Sequence, residues 1–194
     1  MTTLDKDFWE NRYREGATGW DIGYPSTPLK KYIDQLSDKN IKLLIPGCGN
    51  AYEADYLHRQ GFKNVTILDI AEAPIELFKK KHPGFPEENI VLGDFFTHQA
   101  EYDLILEQTF FCALDPSLRK QYVEKMAGLL KPGGKLAGLL FNVTFEKDGP
   151  PFGGSIDEYI ALFDKKFIFN KLEPEQASIP PRAGTEVFIE FIRP

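Results

Sequence analysis

Apolar and polar positions follow two rhythms along this chain. Short, nearly unbroken apolar runs at Ile41–Ile45, Asn64–Leu68, Ile90–Leu92, Tyr102–Leu106 and Lys135–Phe141 read as strands buried on both faces. Between them lie helical stretches at Tyr52–Gln60, Ala73–Lys81, Pro116–Leu130 and Ile156–Phe163. Gly61 stops the first of these, and Pro132-Gly133-Gly134 follows the third. Two further helices, Leu4–Arg14 and Pro28–Leu36, precede the first strand, separated by a glycine-rich loop that carries Trp20 and Tyr24. The last strands, Phe167–Leu172 and Val187–Ile192, have no helix between them and are expected as antiparallel neighbours at one edge, joined by a loop from Glu173 to Gly184. The pattern predicts an α/β, Rossmann-like sandwich of about seven mostly parallel strands with an antiparallel edge and an N-terminal helical flap. No repeat or linker interrupts it, so residues 1–194 are expected to form one domain, with 1–36 as the flap.

Composition narrows the function classes. The 194 residues are 42% hydrophobic and 13% aromatic, ample for a core, and 16 of them are Phe. Twenty-three Lys and Arg against 29 Asp and Glu give a net charge of −6, which argues against a protein built to grip nucleic acid. The basic run Lys79-Lys80-Lys81 closes a helix, where it complements the dipole. Nothing is long and apolar enough to span a membrane, and the polar stretch Met1 to Glu10 does not read as a secretory signal. Two cysteines give no disulfide framework, so a reduced cytoplasmic setting is expected. His58, His82 and His98 have no ligand spacing, and Asp94 and Asp103 form no convincing cluster with other ligands, so no metal is expected.

The candidate chemistry sits at strand ends, where open α/β sheets bind ligands. Gly47-Cys48-Gly49 follows the first strand, and Asp69 ends the second, placed to accept hydrogen bonds from ribose hydroxyls. A dinucleotide loop would want a third glycine where Tyr52 stands, and Glu53 follows it. A bulky ring and a carboxylate suit a cofactor with a positive centre and an amino acid tail, such as S-adenosylmethionine (SAM). Asp94 and Phe95 after the third strand are placed to accept from an adenine amino group and to pack on its ring. Glu107-Gln108-Thr109-Phe110-Phe111 ends the fourth strand at the same edge.

Taken together these residues resemble the class I SAM-dependent methyltransferases. More narrowly, the chain resembles the thiopurine S-methyltransferase superfamily, on its thiol and halide (thiocyanate) branch. The likeness rests on Phe8-Trp9-Glu10, Thr18-Gly19-Trp20-Asp21, Ile45 to Gly49 and Gly93-Asp94-Phe95-Phe96. The more restricted strings are Thr109 to Pro116, Leu130 to Gly134 and Gly149-Pro150-Pro151-Phe152. The resemblance implies that Trp9 and Trp20 close over SAM, with Tyr13 where plant relatives carry Trp. Gly47 and Gly49 would shape the loop beneath the methionine portion, Asp69 would hold the ribose, and Asp94 and Phe95 would contact adenine. Gln108 stands at a cofactor-contacting position that thiopurine enzymes fill with Arg and plant halide enzymes with Tyr. Phe110, Pro151 and Phe152 would lie near the acceptor.

The expected activity is methyl transfer from SAM to a small soft nucleophile, thiol, bisulfide, thiocyanate or halide, with thiopurines less favoured. Such acceptors need no strong base, so no catalytic residue is assigned. Arg182 and Arg193 could meet an anionic acceptor but read first as solvated loop and terminal residues, and Cys48 and Cys112 as small buried hydrophobes. A monomer with a small-molecule partner is expected. A nicotinamide-dependent oxidoreductase on a similar sheet, a non-catalytic SAM-binding module and a nucleic acid methyltransferase remain alternatives, the last disfavoured by charge.

Overall fold

A computed structural model of the chain describes residues 3–194, so the first two positions of the expected flap lie outside the described residues. Seven strands, β1 (Lys42–Pro46), β2 (Asn64–Asp69), β3 (Ile90–Leu92), β4 (Tyr102–Gln108), β5 (Leu130–Phe141), β6 (Ile168–Pro174) and β7 (Glu186–Ile192), form one sheet in the order β3-β2-β1-β4-β5-β7-β6. The β3-β2-β1-β4-β5 ladder is parallel, and β7 runs antiparallel to both β5 and β6. The expected antiparallel pair is present at one edge, with β7 between β5 and β6. Strand order reverses between β1 and β4, and that crevice is where ligands bind in such sheets.

Alternation along the strands builds two cores. Leu44, Ile105, Leu136 and Leu140 face α5 (Arg119–Leu129) and α6 (Ile156–Phe163), joining Tyr122, Met126 and Phe163. Leu43, Ile45, Leu104, Leu106 and Ala137 face the other way, against α2 (Thr27–Ile33), α3 (Tyr52–Arg59) and α4 (Glu72–Lys81). Both faces of the central strands are therefore dry, which is why they read as continuous apolar runs. The first helix, α1 (Lys6–Arg14), lies against α4 instead of the sheet.

Several boundaries differ from the sequence reading for identifiable reasons. Asp5 is the N-cap of α1, accepting the Phe8 N–H (3.0 Å), so the helix starts at Lys6. Asp115 caps a tight turn at Pro116–Leu118 before α5 begins at Arg119. Leu130, expected as the last helical residue, and Pro132-Gly133-Gly134, expected to follow the helix as a break, belong to β5. Leu130 pairs with Tyr102, the register then shifts, and Gly133 and Gly134 exchange backbone bonds with Arg193. The glycines are absorbed as an irregularity of the ladder instead of ending it.

Candidate active site

A cavity of about 740 Å³ opens over the carboxyl ends of β1, β2 and β4, roofed by the N-terminal segment and by the loops after β5 and before β7. It brings together Trp9, Tyr13, Trp20, Gly47, Gly49, Asp69, Asp94, Phe95, Gln108, Phe110 and Pro151, eleven of the twelve residues singled out from sequence. Phe152 is not in the wall. Its N–H instead donates to the Cys112 carbonyl (2.7 Å), bracing the loop that carries Pro150 and Pro151.

The floor starts at the β1 turn. Gly47 and Gly49 both have left-handed backbone (φ 57° and 51°), and each is also closely approached. A Cβ on Gly47 would run into the Phe110 ring, and one on Gly49 would sit 2.6 Å from the Tyr13 hydroxyl. Asp69 ties this turn to α4, since Oδ2 accepts the Gly49 N–H (2.8 Å) and Oδ1 the Ala71 N–H (2.9 Å). Burial pushes its carboxyl above the usual range, against the pull of those N–H groups. Each oxygen keeps a second lone pair for a ligand hydroxyl.

Aromatic rings form the roof. Trp20 meets Trp9 and Tyr13 edge to face, both at 5.6 Å between centroids, and the Arg12 guanidinium lies 5.6 Å from the Trp20 ring. Burial, then the Asp69 charge, drives the Tyr13 phenol upward, so it stays protonated. Four contacts latch this roof to the sheet. Glu10 accepts the N–H groups of Glu72 (2.7 Å) and Ala73 (3.0 Å) at the start of α4, as a cap donated by another helix. Asp21 accepts from the Asn50 amide and from the Tyr52 hydroxyl (3.2 Å). Glu53 accepts the Ser26 N–H (2.8 Å), and Arg182 donates to the Trp20 carbonyl (2.8 Å). Tyr52 and Glu53 thus hold the N-terminal segment in place.

Beyond β3, Asp94 accepts the Phe96 N–H (2.8 Å), and Phe95 is almost fully buried, 5.0 Å from Phe110. Phe95 is therefore a core residue whose face also lines the cavity. At the end of β4, Thr109 has φ 57°, and Gln108 has both amide atoms buried with no protein partner. An unpartnered buried amide is costly unless a ligand completes it. That amide, with the open cradle at Gly47 and Gly49, fits the polar methionine end of SAM.

The loops after β4 and β5 add a mostly apolar wall, with Lys147 and, from the loop before β7, Arg182 among its lining residues. Phe110, Phe141, Phe145, Pro150 and Pro151 form its apolar part, with Phe141 and Phe145 edge to face at 5.1 Å. Arg182, read from sequence as solvated, has a side chain only 11% exposed, 3.6 Å from Glu186 and 6.0 Å from the Phe141 ring. Burial raises the Cys48 and Cys112 thiols, so both remain protonated. Asp103 lies at the start of β4, at the other end of that strand from the Gln108 turn, and binds Lys131 (2.7 Å). Glu10, Asp21 and Arg182 were not assigned to the site from sequence. Two of them stand directly after Trp9 and Trp20 in Phe8-Trp9-Glu10 and Thr18-Gly19-Trp20-Asp21, which is the signal that could have found them.

The fold and site define the class. A methyltransferase from Burkholderia thailandensis acting on 1,6-didemethyltoxoflavin, solved with S-adenosylhomocysteine, superposes with a TM-score of 0.75 at 19% identity, covering 97% of this chain and 86% of that one. The chain matches the thiopurine S-methyltransferase family over residues 4–190 and belongs to it. It is a SAM-dependent methyltransferase. Its relatives include a probable thiol methyltransferase 2 of Arabidopsis thaliana, 33% identical over 184 residues (92% of this chain, 81% of the relative). Another is thiocyanate methyltransferase 1 of Brassica oleracea, 30% identical over 190 residues (95% and 84%).

Proposed function

We propose that this enzyme methylates a small soft nucleophile, a thiol, bisulfide, thiocyanate or halide, and that the acceptor arrives already reactive. One observation carries this reading: among the described residues no histidine lines the cavity, and its five carboxylates, Asp5, Asp21, Glu53, Asp69 and Asp94, are each engaged by at least one backbone N–H. An alcohol or amine acceptor would need a proton taken from it, whereas a thiol is a few per cent thiolate near pH 7 and a halide carries no proton.

When bound, SAM supplies a methyl group on a sulfonium, whose S–C bond breaks toward sulfur as the acceptor's electron pair bonds the carbon. The chain's own residues bind and align. Asp69 presents free lone pairs to a ribose, Asp94 and Phe95 receive the base, and the Gln108 amide receives the methionine end. Trp9, Tyr13 and Trp20 cover the site and exclude water, and an aromatic face contributes ~0.5–2 kcal/mol toward a nearby cation. Phe110 and Pro151 hold the acceptor in line, with Phe152 acting through the loop. We place residues 1–36 as the closing flap of a single domain, in a monomer whose wall comes from one copy. The two free thiols support a reducing, cytoplasmic setting.

The test is S-adenosylhomocysteine production, followed by mass spectrometry, with bisulfide, a small aromatic thiol, thiocyanate, iodide or 6-mercaptopurine. Turnover with a thiol should rise with pH along the acceptor's own ionisation, while iodide should give a profile lacking that rise. Turnover confined to alcohols or amines would overturn the reading.

A further inference from the structure

One ionisable group beside the cavity is unused by this mechanism. Glu107, at the end of β4, is fully buried. Oε1 accepts the N–H groups of Phe110 (2.8 Å) and Phe111 (3.0 Å), and Oε2 accepts the Tyr122 hydroxyl (2.5 Å). These bonds fold the turn whose residues Gln108, Thr109 and Phe110 form the cavity wall. All three donors are neutral. The other titratable groups facing Glu107 are Cys112 in the same turn and Tyr159 on α6, and β5 presents Gly138, packed against the Glu107 backbone. The nearby guanidinium groups are committed elsewhere, Arg119 to Glu158 and the Gly153 carbonyl, Arg182 to Glu186 and Trp20. Among the described residues no cation pairs with this carboxylate, and a buried carboxylate with hydrogen bonds but no counter-cation is unusual in a fold. It becomes intelligible if the positive charge comes with a ligand.

We infer that Glu107 reads the charge of the bound cofactor: its carboxylate favours sulfonium-bearing SAM over S-adenosylhomocysteine, whose sulfur is neutral. The two ligands share adenine, ribose, ammonium and carboxylate groups, and differ by a methyl group and one positive charge. A role confined to shaping the turn would affect both equally. A charge role affects one, and it makes product exchange easier, because methyl transfer removes the charge that Glu107 holds. Burial pushes the Glu107 carboxyl up to about 7, so a cation in the cavity would draw its proton off. The inference rests on SAM as cofactor.

The experiment is calorimetric binding of SAM and of S-adenosylhomocysteine to the wild-type protein and to Glu107→Gln at pH 8. The variant keeps an oxygen for the two N–H groups. SAM should bind about tenfold more weakly to it, the order expected of one charge lost beside a low-dielectric cavity, with S-adenosylhomocysteine affinity within about twofold. Equal loss for both ligands, or none for either, overturns the inference. Failure of both to bind the wild-type protein would instead overturn the cofactor reading. Should Glu107→Gln not fold, wild-type titrations near pH 7 in two buffers of different ionisation enthalpy decide the matter. SAM binding should release more protons than S-adenosylhomocysteine binding, and equal release overturns the inference.

Discussion

On the β1–β3 side of the cavity the polar framework joins carboxylates to backbone N–H groups: Asp69 holds Gly49 and Ala71, Glu10 holds Glu72 and Ala73, and Asp94 holds Phe96. On the side formed by the loops after β4 and β5, Glu107 and the Cys112 carbonyl brace the backbone from behind, but rings and prolines dominate the surface turned to the cavity, with the Gln108 amide unpartnered at the join. The first kind of wall fixes a ligand by directed bonds whose geometry tolerates little change. The second accepts whatever fills it, since van der Waals contact is cheap to rearrange in a loop. A family that keeps one cofactor and varies its acceptor would be built this way.

The contrast can be broken most severely at the first wall. Gly47→Val should weaken SAM binding by more than about a hundredfold and lower the melting temperature, because a branched side chain meets both a left-handed backbone and the Phe110 ring. Asp69→Ala should weaken SAM by roughly 30- to 100-fold as a ribose hydroxyl loses a charged acceptor, and should lower stability by leaving two buried N–H groups without partners at about 1–3 kcal/mol each. Trp20→Ala should cost roughly tenfold in SAM affinity, and unchanged affinity in a titration would sink the roof assignment without touching Asp69. Phe145→Ala should change acceptor KM by only about threefold to tenfold, as one wall ring is lost, with SAM affinity unmoved. Equal effects on both ligands would erase the distinction between the walls.

A last prediction concerns pH and the join between them. Because burial raises the Glu107 carboxyl to about 7, the folded protein holds a proton that the unfolded chain has lost. Stability from this group is therefore present below its unfolded value of 4.5 and falls as pH rises toward 7. Denaturant midpoints measured across that window should decline less steeply in Glu107→Gln.

The same contrast explains what could be read from sequence. Gly47, Gly49 and Asp69 were legible because a turn and an acid at successive strand ends have fixed spacing and local causes. That the central strands are covered on both faces was legible from their unbroken apolar runs, whereas their order in the sheet was not. Arg182 was not legible, because its partner, the Trp20 carbonyl, lies 162 positions away and nothing near Pro181 announces it. Glu53 was noticed for its charge, but its actual task, holding Ser26 N–H, depends on where the N-terminal loop lands. The passage of Leu130 to Gly134 into β5 likewise depends on backbone bonds to Arg193, which no local propensity encodes.

The position of β7 has a consequence for how the molecule is made. β6 is synthesised first, yet in the finished sheet it bonds only to β7, and β7 alone reaches β5. During vectorial synthesis β6 must wait as an unpaired apolar-flanked segment, with Ile168 exposed even in the folded state. A chain ending between residues 175 and 185 would carry the parallel half of the sheet with β6 adrift beside it. Arg182, which pins the roof, would also have to wait for its own segment to emerge, so a nascent chain could present the glycine turn before it could close over a nucleoside.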